Sequence, residues 1–512
     1  MATLTTEALT FDTLLSVLKG EEKIELHDEV ILRVRQSHDF LKSFANGKVI
    51  YGINTGFGPM AQYKIPSEDQ AQLQINLIRS HASGLGEVLS PDLIRATMLA
   101  RLNTLCLGKS GVHESAILIL QSLLNHDIYP IIFEHGGVGA SGDLVQLAHL
   151  ALVMIGEGEV LYQNKRRPTK EVFDLLGIAP MSIHLREGLA IMNGTSVMTG
   201  IGLINVISAE IALSWTVALT TAICELIASY DDYYSPQLNR AKHHVGQIKV
   251  AAAIYQQLQQ SQFIKKREDQ LYVHPGEGPI IKNKVQEYYS IRCVPQIAGV
   301  AFDAIQNAKS TLINEINSAS DNPIVDHDQQ NVFHGGNFHG DYVAFEMDKL
   351  KITSTNMTML AERQINFLMN PNLNDLLPPF VNLGKLGFNF GLQGIQFTAT
   401  STTAENQMLA NPMSIHSIPN NNDNQDIVSM GANAANITKK VIDNLFQVLA
   451  IEALSIAQAI DYTNKLEGLS PVSQSIYQTV RSEIKTINQD VAQYASLHRL
   501  VEKMKKEKPL DI

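Results

Sequence analysis

Cysteine is scarce in this chain: three in 512 residues, Cys106, Cys224 and Cys293, each isolated in sequence. That scatter excludes a disulfide framework and a cysteine-based zinc site, and it predicts a reducing compartment. Linkers rich in Gly, Ser or Pro, low-complexity tracts and repeat periods are also missing. One large unit with subregions is therefore expected, despite a length that alone suggests several domains. Positive charge is in deficit, with 40 Lys and Arg against 51 Asp and Glu and a formal net charge of −11. This balance argues against nucleic acid or an anionic membrane as partner. The short basic run Lys503, Lys505, Lys506 and Lys508 reads as a solvated helix end. The N-terminal Met-Ala-Thr-Leu-Thr-Thr-Glu carries neither a basic n-region nor an apolar h-region, which predicts no signal peptide and a cytoplasmic protein. From Gly188 to Ala209 there is no charge, but Asn193, Thr195, Ser196 and Asn205 interrupt the run, so a buried segment is expected and not a membrane span. The loop Gly335–Asp341, with His327 and His334 nearby, lacks zinc-ligand spacing, and no HExxH occurs; no metal is expected.

What is present is a hydrophobic fraction of 45% against 18% charged residues, enough to bury a large core. Apolar residues recur at helical spacing from Val343 to Leu368, from Ala435 to Tyr462 and from Gly200 to Tyr230, on most faces of each segment. Helices apolar nearly all round sit inside bundles or oligomers. The expected fold is mainly α, a long-helix central bundle over residues 201–465. A smaller mixed N-terminal region, 1–200, and a C-terminal helical region, 466–512, flank it.

The most informative string is Gly137-Val138-Gly139-Ala140-Ser141-Gly142-Asp143. It admits four readings. Gly137-x-Gly139-x-x-Gly142 is a dinucleotide-binding fingerprint, between the apolar run Ile128–Phe133 and a helix-like segment Leu144–Ile155, which suggests an NAD-dependent oxidoreductase. That fold needs strand–helix alternation to continue, and no succession of such units follows. Ser141 as a nucleophile is a second reading, although the final glycine of a G-x-S-x-G elbow is missing. A plain glycine-rich turn is the third. The fourth is chemical. The Gly142 amide nitrogen can close onto the Ala140 carbonyl carbon, and loss of two waters yields a methylidene-imidazolone, an electrophile that no ordinary side chain supplies. Glycines are the residues that tolerate so compressed a turn.

Several polar strings exceed what a bundle needs. Tyr51-Gly52-Ile53-Asn54-Thr55-Gly56-Phe57-Gly58 has good turn chemistry, with a phenol at its lip that could serve as a base. Ser80-His81 precedes a small-residue turn, and Asn193-Gly194-Thr195 implies a buried polar group with a partner. Gln286-x-x-Tyr289-x-x-Arg292 has helical spacing, and its arginine is a natural carboxylate clamp. Asn420–Gln425 is a run dominated by amides. Taken singly, each of these is a loop or a solvated face.

Together, YGINTGFG from Tyr51, GVGASGDL from Gly137, NGT from Asn193, VQEYYSIRC from Val285, GGNFHGD from Gly335 and NQDIVSM from Asn424 resemble the aromatic amino-acid ammonia-lyase and aminomutase family, in family order. The resemblance runs from about Tyr51 to Leu454. It implies the fumarase/aspartase-like architecture, a homotetramer with active sites shared between chains, and a methylidene-imidazolone formed from Ala140, Ser141 and Gly142, with no metal or diffusible cofactor. It further implies Tyr51 as the base that takes a β-proton and Tyr289 as a second tyrosine beside the electrophile. Arg292 would hold the substrate carboxylate, and Asn193, Gln286 and Phe338 would line the group or the amino-acid backbone. Asp143 would be the aspartate associated with ring formation. One departure is visible: the family often has Ala-Pro after Gly-Asp-Leu, where this chain has Val145-Gln146.

The substrate motifs conflict. Ser80-His81 resembles the pair of histidine ammonia-lyases and also that of tyrosine-specific members, where the histidine faces the phenol. At the late motif, Gln425 stands where histidine-specific enzymes place a glutamate. His81 with Gln425 therefore points to L-tyrosine and p-coumarate, with histidine-to-urocanate chemistry second and a tyrosine aminomutase third.

Overall fold

The computed structural model describes residues 2–273, 279–281 and 284–512. It is mainly α-helical, and its strands are short and gathered in sheets of two or three. The continuing strand–helix alternation that a dinucleotide-binding fold requires is absent among the described residues, so the glycine fingerprint is not one.

Two compact units emerge, each discontinuous in sequence. The first comprises Met1–Asn205, Ala308–Asp348 and Pro412–Ile437; the second Val206–Asn307, Lys349–Asn411 and Thr438–Ile512. This grouping differs from the three consecutive regions expected from sequence. Residues 308–348 and 412–437 associate with the N-terminal region, and 466–512 fold with the second unit.

In the first unit, Ala2–Leu4 pairs in parallel with Ile24–Leu26. Glu159–Tyr162 and Lys165–Pro168 form a hairpin. Gln163 and Asn164 turn it with φ of 51° and 58°, the left-handed pair that a tight two-residue turn demands. The helix Pro91–Cys106 starts with proline in its first turn, where the missing N–H costs nothing, and is buried along nearly its whole length. Arg186 and Asp321, both fully buried, pair at 2.9 Å. Arg186 also donates to the carbonyls of Ser110, Asn322 and Pro323, so the guanidinium is multiply bonded.

Helices dominate the second unit, among them Val245–Leu258 and Gln393–Leu409. Boundaries between units fall within the helices Ser196–Leu226, Val294–Ile316, Asp341–Met369 and Gly431–Thr463. Ser196–Leu226 and Gly431–Thr463 are long and apolar enough to cross a membrane, but 72% and 89% of their apolar windows are buried in the protein, as in core helices. Thr216, Thr220 and Thr221 return their hydroxyls to carbonyls four residues earlier, which keeps the polar atoms satisfied inside the bundle. The single tryptophan, Trp215, donates its indole N–H to the carbonyls of Met504 and Glu507, fastening the C-terminal helix Tyr494–Met504. Buried Glu225 accepts from the Ser470 N–H at 2.6 Å and from the hydroxyls of Ser470 and Ser473, at the start of the helix Pro471–Glu483.

Candidate active site

A cavity of about 660 Å³ opens in the first unit. Tyr51, Phe57, Ser80, His81, Ser141, Asn193, Phe338 and Gln425 all line it, so seven of the residues expected from distant motifs converge with Phe57 on one space. Of the tripeptide, Ser141 is the residue that lines it. Gly142 has φ +74°, and a Cβ there would sit 1.9 Å from the carbonyl oxygen of Gly194, so no side chain fits. Ala140 is buried against Val428 and Met430. The Ser141 carbonyl accepts from Asn193 Nδ2 at 3.0 Å and from the Gly194 N–H at 3.4 Å, while Gln425 Nε2 reaches Ser141 Oγ at 2.8 Å. Gly139 O is held by Ser429 Oγ and the Gly340 N–H. The stretch is thus closely packed and pinned on both sides, and its residues fit the ring-forming group.

Asp143 follows the tripeptide, fully buried. Its Oδ2 accepts from the N–H groups of Val197 and Met198 at 2.9 and 3.0 Å, the open end of the helix Ser196–Leu226. Burial pushes its carboxyl up to about 7; the Met198 and Val197 N–H groups and Arg101 pull the other way. Where the family often has proline, Gln146 is buried and donates to the Glu134 carbonyl at 3.2 Å.

The Tyr51 loop is tied down by local polar chemistry. Asn54 Oδ1 accepts from the Ile50 N–H, its Nδ2 donates to Lys48 O, and Thr55 Oγ1 accepts from the Gly52 N–H. The Gly58 N–H donates to the Tyr51 hydroxyl at 3.1 Å, and Phe57 meets the Tyr51 ring edge-on at 6.3 Å between centroids. Behind it, fully buried Gln74 donates to Gly52 O at 3.0 Å and accepts from the Leu189 N–H at 2.9 Å, joining this loop to the helix Glu187–Met192 that leads into Asn193.

Opposite, the helix Gln70–His81 presents Leu73, Asn76, Leu77, Ser80 and His81 to the cavity. His81 Nδ1 lies 3.0 Å from the Leu77 carbonyl. The Ser80 hydroxyl is equally close to Nδ1, at 3.0 Å; in the tautomer whose Nδ1 donates to the carbonyl, Nε2 is left as an acceptor. The amide run also participates: Asn421, Asn422 and Asn424 join Gln425 in the wall, with Asn421, Asn422 and Asp423 at φ of 55°, 51° and 58° in a left-handed turn. Asn76 and Asn322 were not singled out from sequence. Among the described lining residues there is no Asp, Glu, Lys or Arg.

Three expected residues lie elsewhere. Gln286, Tyr289 and Arg292 belong to the second unit and are not among the described residues lining this cavity. Tyr289 is 69% exposed, and the Arg292 guanidinium stacks over its ring at 4.7 Å. The helix there spans only Tyr289–Arg292, anchored by Tyr234 Oη on Ile291 O and Gln364 Nε2 on Ser290 O. Gln286 precedes it in irregular backbone, where the Glu287 N–H is committed to Tyr233 Oη, so the helical face expected from the i, i+3, i+6 spacing does not form.

Residues 9–482 match the aromatic amino acid lyase family. A histidine ammonia-lyase of Geobacillus thermodenitrificans is 38% identical, covering 96% of this chain and 94% of that protein. A tyrosine ammonia-lyase of Cupriavidus metallidurans is 36% identical, over 94% of this chain and 92% of its own length. The solved tyrosine aminomutase of Streptomyces globisporus superimposes with a TM-score of 0.94 at 34% identity, covering 99% of this chain and 97% of its own. With its glycine loop, tyrosine loop and amide wall gathered on one cavity, the chain belongs to the aromatic amino acid lyase family and is a carbon–nitrogen lyase.

Proposed function

We propose that this enzyme eliminates ammonia from L-tyrosine to give trans-p-coumarate, using a methylidene-imidazolone made from Ala140, Ser141 and Gly142. The carrying observation is the cavity's polar complement. With Nδ1 donating to the Leu77 carbonyl, His81 Nε2 is an acceptor suited to a phenol O–H, and the described wall offers no carboxylate for an imidazole substrate. Histidine is the second reading, favoured by the 38%-identical histidine ammonia-lyase.

When formed, the group supplies an electrophile for the substrate amine. Asn193 Nδ2 and the Gly194 N–H face the Ser141 oxygen and stabilise negative charge gathering there. The first turns of the helices Leu144–Met154 and Ser196–Leu226 add positive potential beside the tripeptide. Tyr51, fixed by the Gly58 N–H, takes the β-proton. Phe57, Leu77, Leu144 and Leu189 give the aromatic ring an apolar bed.

The substrate carboxylate needs a cation, and the described wall contains neither Lys nor Arg. Arg292, with Gln286 and Tyr289, would supply it from another copy in a homotetramer. Exposed Tyr342, Phe345, Phe397 and Met408 on the helices Asp341–Met369 and Gln393–Leu409 support such burial between copies. The unpaired cysteines support a reducing, cytoplasmic setting. The test is incubation of purified protein with tyrosine, phenylalanine and histidine separately, products identified by absorbance and mass. Urocanate forming faster than p-coumarate would overturn the tyrosine assignment.

A further inference from the structure

Arg101 sits in the helix Pro91–Cys106, fully buried, and does not line the cavity. Its Nη1 donates to Asn193 O at 2.8 Å and Ile191 O at 3.4 Å. A Cβ on Gly194 would lie 2.6 Å from that nitrogen, so glycine there is what lets the guanidinium reach the backbone. The peptide it grips is the one that holds the tripeptide. Gly194 O accepts from the Asp143 N–H at 2.8 Å, the Gly194 N–H donates to Ser141 O, and Asn193 Nδ2 donates to the same oxygen. One cation therefore anchors the Asn193–Gly194 segment, whose two residues make three hydrogen bonds to residues 141–143.

We propose that Arg101 is a positioning residue for formation of the electrophile, acting by pinning the Asn193–Gly194 peptide against Ser141 and Asp143. This rests on the methylidene-imidazolone reading. In ring closure the Gly142 nitrogen bonds to the Ala140 carbonyl carbon, and its proton passes to the Ala140 oxygen. That hydroxyl leaves as water with the Ser141 N–H proton, making a carbon–nitrogen double bond. The Ser141 Oγ hydroxyl then leaves as a second water with the Cα hydrogen, making the exocyclic double bond; no oxidant is involved. Loss of the Cα proton places charge on the Ser141 carbonyl oxygen, where the two donors sit. Both donors belong to the residues Arg101 holds, and a charged hydrogen bond fixes them more firmly than a neutral one. The guanidinium Nε and Nη2 have no hydrogen-bond partner among the described residues, nor does Asp143 Oδ1; the negative charges near the cation are Asp321 first and Asp143 second.

The experiment is intact-mass spectrometry of freshly produced wild type, Arg101→Met and Arg101→Lys, each followed over time, with circular dichroism and elution volume to establish folding. Wild type should lack two waters. Folded Arg101→Met should keep the encoded mass, and Arg101→Lys, which retains charge but not the guanidinium's reach, should mature about tenfold more slowly or worse. A residue that only stabilised the fold would lower the melting temperature and leave maturation complete. Should Arg101→Met not fold, Arg101→Lys decides: the two-water deficit appearing at the wild-type rate overturns the proposal. If wild type itself has the full encoded mass, the electrophile reading falls, an outcome distinct from failure of the Arg101 assignment.

Discussion

Gly142 and Gly194 face each other so closely that a methyl group on the first would lie 1.9 Å from the carbonyl oxygen of the second. Gly142→Ala is therefore expected to block ring closure by displacing backbone that nothing else can replace, and Ser141→Ala to block the second dehydration by removing the hydroxyl that must leave. Neither protein should show the two-water deficit. Ser141→Ala should also remain folded, since its side chain donates no hydrogen bond that the core requires. A deficit persisting in Ser141→Ala would refute the assignment.

Tyr51→Phe keeps the ring that packs on Phe57 and loses only the hydroxyl held by the Gly58 N–H. Turnover should drop by about 10²–10⁴-fold with KM little changed and the two-water deficit intact. Steady-state kinetics alongside intact mass checks this, and near-normal turnover would remove Tyr51 from the role of base.

His81→Phe should shift preference toward phenylalanine. In the native site phenylalanine leaves the His81 acceptor without a partner, a cost of about 1–3 kcal/mol, or about 5- to 150-fold in discrimination. Gln425→Glu introduces a carboxylate into a wall that has none and should raise the rate with histidine. The ratio of kcat/KM values for the three amino acids reads both effects.

Stability should depend on pH through Asp143. With its carboxyl pushed up to about 7, the folded chain keeps a proton that the unfolded chain releases at ordinary carboxylate pH. The stability it contributes is full below that range and is lost as pH rises toward about 7, with a slope of at most about 1.4 kcal/mol per pH unit. Denaturation midpoints of wild type and Asp143→Asn across this interval should differ in slope, the variant being flatter.

If Arg292 acts in a neighbouring copy's cavity, two inactive proteins should rescue one another. Subunits bearing Tyr51→Phe, mixed by co-expression with subunits bearing Arg292→Met, should regain activity that neither homo-oligomer has. No recovery in verified mixed oligomers would place the carboxylate clamp elsewhere.

Much of the site was legible in sequence because its chemistry is local. The tripeptide, the Tyr51 loop and the Asn193 turn are contiguous strings whose glycines and amides have few structural alternatives. The long helices were legible too, since their apolar periodicity persists over many turns, although Ser196–Leu226 starts and ends four residues earlier than the pattern suggested. Convergence was not legible. Asn76 sits one turn before Ser80-His81 with nothing to mark it, Asn322 meets the cavity from a segment with no motif, and Arg101 is one of two buried arginines in its helix. Nor does a linear pattern reveal that residues 308–348 and 412–437 return to the N-terminal region. Gln286 misled because spacing says nothing about the Tyr233 hydroxyl that claims the next backbone N–H.

The double bond-making of Gln74 has a consequence for how the enzyme is tuned. One amide, bonded to Gly52 on one side and Leu189 on the other, serves as a gauge block between the Tyr51 loop and the helix that leads into Asn193. The gap the substrate must bridge is then machined by a side chain that the substrate never meets. Isosteric Gln74→Glu would set an oxygen against the Gly52 carbonyl and spoil that tolerance. Reaction geometry here is thus inherited from a dimension fixed in the scaffold before any amino acid arrives.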